Sequence, residues 1–193
     1  MLRTQTCGEL NKKHVGKKVT LCGWVNSRRD HGGIIFIDLR DRFGLTQIKF
    51  DPKISQLAWN QADKVRSEWV LQVTGEVLAR PKDMINPKMA TGEIEVAINE
   101  IKILNEAKTP PFEIWWGQEK ININEEMRLQ YRYLDLRTER MMKNIITRHQ
   151  VVKIIREFLD KQNFVEIETS NLIKGTPEGA REFIIPSRLH PGK

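Results

Sequence analysis

An aromatic residue, Phe36, lies among four arginines, three of them in the segment from Gly23 to Asp41 and one directly after it. In the run Ile34–Leu39, alternation places Ile35 and Ile37 on one face of a β-strand and Phe36 on the other. An exposed Phe near arginines is typical of a surface on which a nucleic-acid base stacks while guanidinium groups hold phosphates. The arginines are Arg28, Arg29, Arg40 and Arg42. A single Phe exposed by chance is the alternative.

The other predicted strands also alternate polar and apolar side chains. Their polar faces carry Gln47, Lys49, Gln72, Thr74, Glu93 and Glu95. Amides and carboxylates can hydrogen-bond base edges, whereas a surface for phosphates alone would need only cations. Together with Phe36, these side chains predict a surface that reads bases, with an ordinary solvated sheet face as the alternative.

The elements that position these side chains follow the order of an OB-fold barrel. Within residues 1–105 we predict three strands, one helix and two further strands. The strands are predicted at 19–25, 34–39, 45–50, 69–78 and 93–104, with a basic, glycine-containing loop between the first two. The helix is predicted from an Asp51 cap, with Pro52 in its first turn, to about Ser67. A five-stranded Greek-key sandwich is the alternative, but the single helix favours the barrel.

The rest of the chain divides at a proline-containing segment. Thr109-Pro110-Pro111 interrupts regular structure, so residues 106–125 are predicted to be a linker. In residues 126–193 we expect a short helix capped by Asn124, then a longer helix from Thr138 to Asn163 and a strand at 165–168.

Net charge, cysteine spacing and the length of apolar runs favour some classes of function and exclude others. The chain has 32 Lys and Arg against 25 Asp and Glu, a net charge of +7 and a pI near 9.5, which favours a polyanionic partner. Cys7 and Cys22 have no spacing typical of a zinc site or a disulfide framework, so no metal is expected. No apolar run is long enough to span a membrane, so we expect a soluble, cytoplasmic protein without a membrane partner.

Three long strings resemble those of the bacterial-type aspartyl-tRNA synthetases, which are class II enzymes. They are Arg28-Arg29-Asp30-His31-Gly32-Gly33, Tyr131-Arg132-Tyr133-Leu134-Asp135-Leu136-Arg137 and Thr176-Pro177-Glu178-Gly179-Ala180-Arg181. The resemblance covers essentially the whole chain. It implies an OB-fold anticodon-binding domain at 1–105, a hinge at 106–125, and the N-terminal part of a class II α+β catalytic domain at 126–193. The long helix and the following strand match the first class motif, which builds the homodimer interface of the family.

The resemblance also implies roles for individual residues. Phe36 would stack on the middle anticodon base and Gln47 would hydrogen-bond that base. Arg29 would contact the backbone or a neighbouring base, and Glu95 would read the wobble base. Glu178, in a loop that closes over aspartate, would hold the amino group of the amino acid.

Selectivity between aspartate and asparagine tRNAs is implied to depend on His31 and on the loop around Asp83. The two anticodons differ only at their third letter. His31 can donate or accept a hydrogen bond, and Gly32 and Gly33 let its loop adapt, so we expect both tRNAs to be charged. The alternative is that His31 simply faces solvent.

Two departures from the family pattern limit what this chain is expected to do. Ser170 stands where the first motif usually ends its strand with a proline. The motifs that bind ATP with Mg²⁺ lie beyond Lys193 in the family, so we expect no catalytic residue, no bound cofactor and no activity in residues 1–193 alone. The competing function is a free-standing OB-fold module for single-stranded nucleic acid, which would have no use for the Glu178 loop.

Overall fold

The computed structural model describes residues 2–114, 123–172 and 185–191, in two compact units, Met1–Ile146 and Thr147–Lys193. The first unit contains a closed five-stranded barrel in the order β1-β2-β3-β5-β4, which confirms the OB-fold. Neighbouring strands are antiparallel except for β3 and β5. The strands are β1 (Lys18–His31), β2 (Ile34–Asp41), β3 (Gly44–Phe50), β4 (Val70–Ala79) and β5 (Ile94–Asn105).

The barrel core consists of the side chains that alternation assigned to the inner face. Ile35, Ile37 and Leu39 of β2 are completely buried, as are Ile48 and Phe50 of β3. Burying such side chains stabilises the fold by roughly 1.5–3 kcal/mol each. The intervening residues of β2 and β3 are therefore available on the outside of the barrel.

The first strand is longer than predicted, and the basic loop is almost entirely strand. Pairing between β1 and β2 shifts register between Val25 and Ser27, so Asn26 is the extra residue of a β-bulge. β1 then continues to His31, and only Gly32 and Gly33 form the turn, with φ of 61° and 79°. Positive φ at both central residues is the requirement of a type I′ hairpin, which glycine meets without strain.

The helix between β3 and β4 begins later than predicted. α1 spans Gln56–Lys64, and its N-cap is Ser55, whose hydroxyl accepts from the amide of Ala58 at 3.2 Å. Asp51 instead closes a turn, because its side chain accepts from the amide of Lys53 at 2.9 Å. The expected Asp51 cap is therefore wrong.

Arg40 lies on the outer face as predicted, but it is buried and does not hold phosphates. Its guanidinium makes two 2.9 Å bonds to Glu68 and donates to Asn26 Oδ1 at 2.8 Å and to the carbonyl oxygen of Ile114 at 3.1 Å. Arg137 donates to the same Glu68 carboxylate at 2.9 Å. Chain segments from outside the strands cover this part of the barrel, which alternation does not reveal.

Short helices follow the barrel within the first unit. They are α2 (Glu125–Gln130), capped by Asn124 as expected, and α3 (Arg132–Asp135). Phe112, Ile114 and Leu134 form a second, small apolar cluster.

A long helix, α4 (Glu139–Lys161), runs into the second unit and is followed by Asn163 at φ 64°, a conformation suited to a helix end. The strand expected at 165–168 is not formed among the described residues, because a strand needs a hydrogen-bonded neighbour. None of the described helices is long and apolar enough to cross a bilayer.

Candidate nucleic-acid interface

Phe36 lies half-buried on the outside of the barrel, between a cation on each neighbouring strand. Its cross-strand partners are Arg29 of β1 and Lys49 of β3. Residues directly opposite each other share a face of the sheet, so the bulge at Asn26 is what brings Arg29 to the face of Phe36. Arg29 was predicted to lie in a loop, and its position in a paired strand gives it a more defined place.

Arg29 is held by an acidic neighbour. One terminal nitrogen of its guanidinium donates to the two carboxylate oxygens of Asp38 at 2.9 and 3.0 Å. Asp38 is also bonded by the Ser27 hydroxyl at 2.6 Å. The Arg29 side chain remains 55% exposed, so its remaining donors face solvent.

Gln47 lies between Arg29 and Glu95 and contacts both of them. Its side-chain oxygen lies 3.4 Å from Arg29, and its amide nitrogen donates to Glu95 at 3.2 Å. Glu95 also lies 3.9 Å from Lys49 Nζ. The strands thus bring Arg29, Phe36, Gln47 and Glu95 together, as the sequence predicted, and we call these four residues the β-face cluster.

Arg80, directly after β4, lies close enough to Glu95 and Asp38 to feel their charges, and the sequence analysis did not predict it as a site residue. It is 9% exposed, and its Nε donates to the carbonyl oxygen of Ile94 at 2.9 Å. Among the described residues its NH2 nitrogen has no hydrogen-bond partner. Burial lowers the pKa of Arg80, and the charges of Glu95 and Asp38 oppose that shift. An Arg-Pro pair at the end of a strand resembles an ordinary loop start, so the sequence offered no signal for it.

The two predicted selectivity residues lie on other parts of the first unit's chain than the four cluster residues. His31 is exposed at the end of β1, and Asp83 is exposed in a short 3₁₀ helix, Lys82–Met84, between β4 and β5. Glu178, predicted to bind the amino group of aspartate, lies outside the described residues.

Three residues predicted on the base-reading face have other partners. Gln72 donates to the carbonyl oxygen of Leu2 at 2.7 Å, and Thr74 shares a 3.1 Å bond with Thr20. Glu93 forms an ion pair with Lys12 at 2.7 Å. Gln72 is six positions along β4 from Leu78, the partner of Glu95, hence about 20 Å away.

The β-face cluster combines an aromatic face, an amide and both signs of charge on a rigid sheet. This combination suits stacking and hydrogen bonding of an unpaired base more than bond-making chemistry. Among the described residues, no three His, Cys, Asp or Glu side chains are grouped so as to hold a metal ion.

Two family models match the chain in separate stretches. Residues 19–104 match the OB-fold nucleic acid binding domain, and residues 124–193 match the class II tRNA synthetases (D, K and N). The first range contains the whole β-face cluster.

Curated relatives match the chain over nearly its full length. An aspartate–tRNA(Asp/Asn) ligase from Dictyoglomus turgidum is 57% identical, covering 100% of this chain and 32% of that protein. A ligase of the same name from Protochlamydia amoebophila is 55% identical, covering 98% of this chain and 31% of that protein. The chain therefore spans about a third of the length of these relatives.

A solved structure shares the fold. The aspartyl-tRNA synthetase of Entamoeba histolytica superposes with a TM-score of 0.77 at 26% identity, covering 88% of this chain and 39% of that one. The family models, the curated relatives and this structure agree with one another and with the barrel. Over nearly its full length the chain is similar to the N-terminal portion of the class II aspartyl-tRNA synthetases.

Proposed function

We propose that this chain provides anticodon recognition for an aspartate–tRNA ligase. Residues 1–105 would be the anticodon-binding domain, 106–125 the hinge, and 126–193 the beginning of the catalytic domain. The observation that carries the proposal is the β-face cluster, which lies on a closed OB-fold barrel. The class II match at residues 124–193 disfavours a free-standing binding module.

Each residue of the cluster has a role that its contacts support. Phe36 offers a ring for stacking the middle anticodon base, and Gln47 offers both a donor and an acceptor to the edge of that base. Arg29 directs its remaining donors to the RNA backbone or a neighbouring base. Glu95, held by Gln47 and Lys49, accepts from the wobble base.

Arg80 adds a role that the sequence did not suggest. Its unpaired guanidinium nitrogen lies in a nearly buried group beside acidic neighbours. A buried donor without a partner carries a desolvation cost that a bound acceptor removes. We assign Arg80 to an acceptor on the RNA, next to the base read by Glu95.

The activity of the complete ligase involves partners beyond the described residues. Its substrates would be aspartate, with Glu178 binding the amino group, and tRNA. ATP with Mg²⁺ would activate the amino acid. The described residues include no group of three His, Cys, Asp or Glu side chains that could hold a metal ion, so we assign them no step in that activation. We also propose a homodimer built through α4 and a cytoplasmic location, where translation takes place.

Relaxed tRNA selectivity is part of the proposal. The relatives are named as ligases for both aspartate and asparagine tRNAs. His31, exposed beside two glycines of positive φ, and Asp83, exposed in the β4–β5 connection, are the residues we assign to the third anticodon letter.

Fluorescence anisotropy with a labelled aspartate anticodon stem-loop tests the proposal on this chain. Phe36→Ala should weaken binding by about 1–3 kcal/mol, the usual contribution of stacking one base on an aromatic ring. Gln47→Ala should cost roughly 1–3 kcal/mol or less and relax discrimination at one base. Affinity should fall as salt rises, because bound phosphates release counterions.

Two controls are matched to these variants. Phe43 is 53% exposed at the β2–β3 turn, and Gln72 lies about 20 Å from Glu95 along the strands. Phe43→Ala and Gln72→Ala should leave the affinity within a factor of about two. Unchanged binding by Phe36→Ala at fixed salt would exclude the stacking role.

A further inference from the structure

The hairpin turn that carries His31 is held by a tryptophan from another element. The indole Nε1 of Trp59, on α1, donates to the carbonyl oxygen of Gly33 at 2.8 Å. Trp59 packs against the barrel core with part of its ring, so the donor is fixed relative to the barrel. This bond joins residues 26 positions apart in the sequence.

The other contacts of this turn lie within the hairpin, where His31 pairs with Ile34. The amide of Gly33 donates to Asp30 Oδ1 at 3.3 Å, a contact within the hairpin itself. No atom lies within 4 Å of where a Cβ would stand on Gly32 or Gly33, so the turn projects into open space. The bond from Trp59 therefore ties the tip of the hairpin to a different element of the fold.

A second contact ties the same helix to the same hairpin further back. Arg28 donates to Asp63 Oδ1 at 2.8 Å and to the carbonyl oxygen of Ala62 at 3.3 Å. These bonds fix β1 five residues before Gly33, whereas the bond from Trp59 acts on the turn. Of the two, the Trp59 bond is the one made to the turn next to His31.

We propose that Trp59 is a positioning residue for discrimination at the third anticodon letter, acting through the Gly33 carbonyl on the placement of His31. This inference rests on the proposed anticodon function. A hydrogen bond to a two-residue turn restricts the turn to one orientation relative to the sheet. Without it, the side chain at position 31 samples several placements, and a residue there that discriminates between the third letters does so less well.

Trp59→Phe tests the proposal, because it keeps an aromatic ring against the core and removes the indole donor; the ring area lost with it is matched by the Trp69→Phe control. Aspartate and asparagine anticodon stem-loops are compared by competition anisotropy, and their affinity ratio is the readout. A loss of fold stability lowers both affinities together and leaves this ratio unchanged. Since we expect the native chain to be relaxed, the ratio is measured in a His31→Leu background, where selectivity is expected to rise.

In that background, Trp59→Phe should reduce the affinity ratio at least about threefold, the change corresponding to one net hydrogen bond. Amide exchange at Gly33 and Ile34 should become faster in the same variant. Trp69→Phe is the matched control, since its indole donates to the carbonyl oxygen of Ala107 at 3.1 Å, away from the turn. It should alter neither the ratio nor the exchange.

Three outcomes distinguish a failure of the Trp59 role from a failure of discrimination at position 31. A ratio that His31→Leu raises and Trp59→Phe then lowers supports the proposal. A ratio that His31→Leu raises and Trp59→Phe leaves unchanged overturns the role of Trp59 alone. If His31→Leu has no effect, discrimination at His31 and the role of Trp59 both fail. Anticodon binding itself still stands in that case if Phe36→Ala weakens affinity.

Discussion

Replacing Arg40 by methionine removes the cation from a buried network of charges. The Arg40 and Glu68 side chains are 2% and 4% exposed, and two bonds of 2.9 Å join them. Asn26 and the Ile114 carbonyl accept from the same guanidinium. Methionine fills much of the same volume, so the loss measured in Arg40→Met comes mainly from the charge and its hydrogen bonds.

The expected loss of stability follows from these contacts. Breaking a buried ion pair by removing one partner costs about 3–5 kcal/mol, because the other charge stays buried. Arg137 still donates to Glu68 at 2.9 Å, which reduces the cost. Glu68 also has φ 65°, a backbone conformation that costs about 1–2 kcal/mol for a residue other than glycine. The hydrogen bonds of the network hold Glu68 in that conformation. We expect Arg40→Met to lower the free energy of unfolding by about 3 kcal/mol.

Urea unfolding followed by tryptophan fluorescence measures this change. All five tryptophans precede residue 117, so the signal reports on the unit Met1–Ile146. The matched control is Lys12→Met, which breaks the exposed ion pair with Glu93 on the same barrel. Exposed pairs contribute about 0–1 kcal/mol, so this control should change little.

A double variant that removes both buried charges should be more stable than Arg40→Met alone. Combining Arg40→Met with Glu68→Gln removes both charges, so part of the lost stability should return. If Arg40→Met loses no more than Lys12→Met, the network contributes nothing beyond a surface pair and the argument is refuted.

Two further predictions concern the barrel. Gly75→Ala should destabilise by roughly 1–3 kcal/mol, because a Cβ there would lie 2.1 Å from the carbonyl oxygen of Ala97; an unchanged urea midpoint would contradict this. Burial raises the pKa of the Cys7 thiol, so little thiolate exists near pH 8 and iodoacetamide should modify native Cys7 far more slowly than the urea-unfolded chain. Equal rates, read by peptide mass spectrometry, would contradict that prediction.

Local pattern determined much of this protein. The alternation around Phe36 and Gln47 predicted which strand residues face inward, because side chains in a strand alternate whatever surrounds it. It therefore predicted that Phe36, Gln47 and Glu95 of the β-face cluster lie on the outside, and the order of the strands and the helix predicted the barrel. The long motif strings indicated the family without any structure.

Tertiary contacts determined the environments of Arg29, Arg40 and Arg80, which alternation could not predict. The bulge at Asn26, which moves Arg29 beside Phe36, depends on register with another strand. The burial of Arg40 depends on Glu68 and on Ile114, which are 28 and 74 residues away. The Arg80 nitrogen that has no partner within the described part of the chain is buried because of the strands packed around it. Burial and pairing of a polar side chain are set by what covers it in space, and sequence periodicity records only which face the side chain occupies.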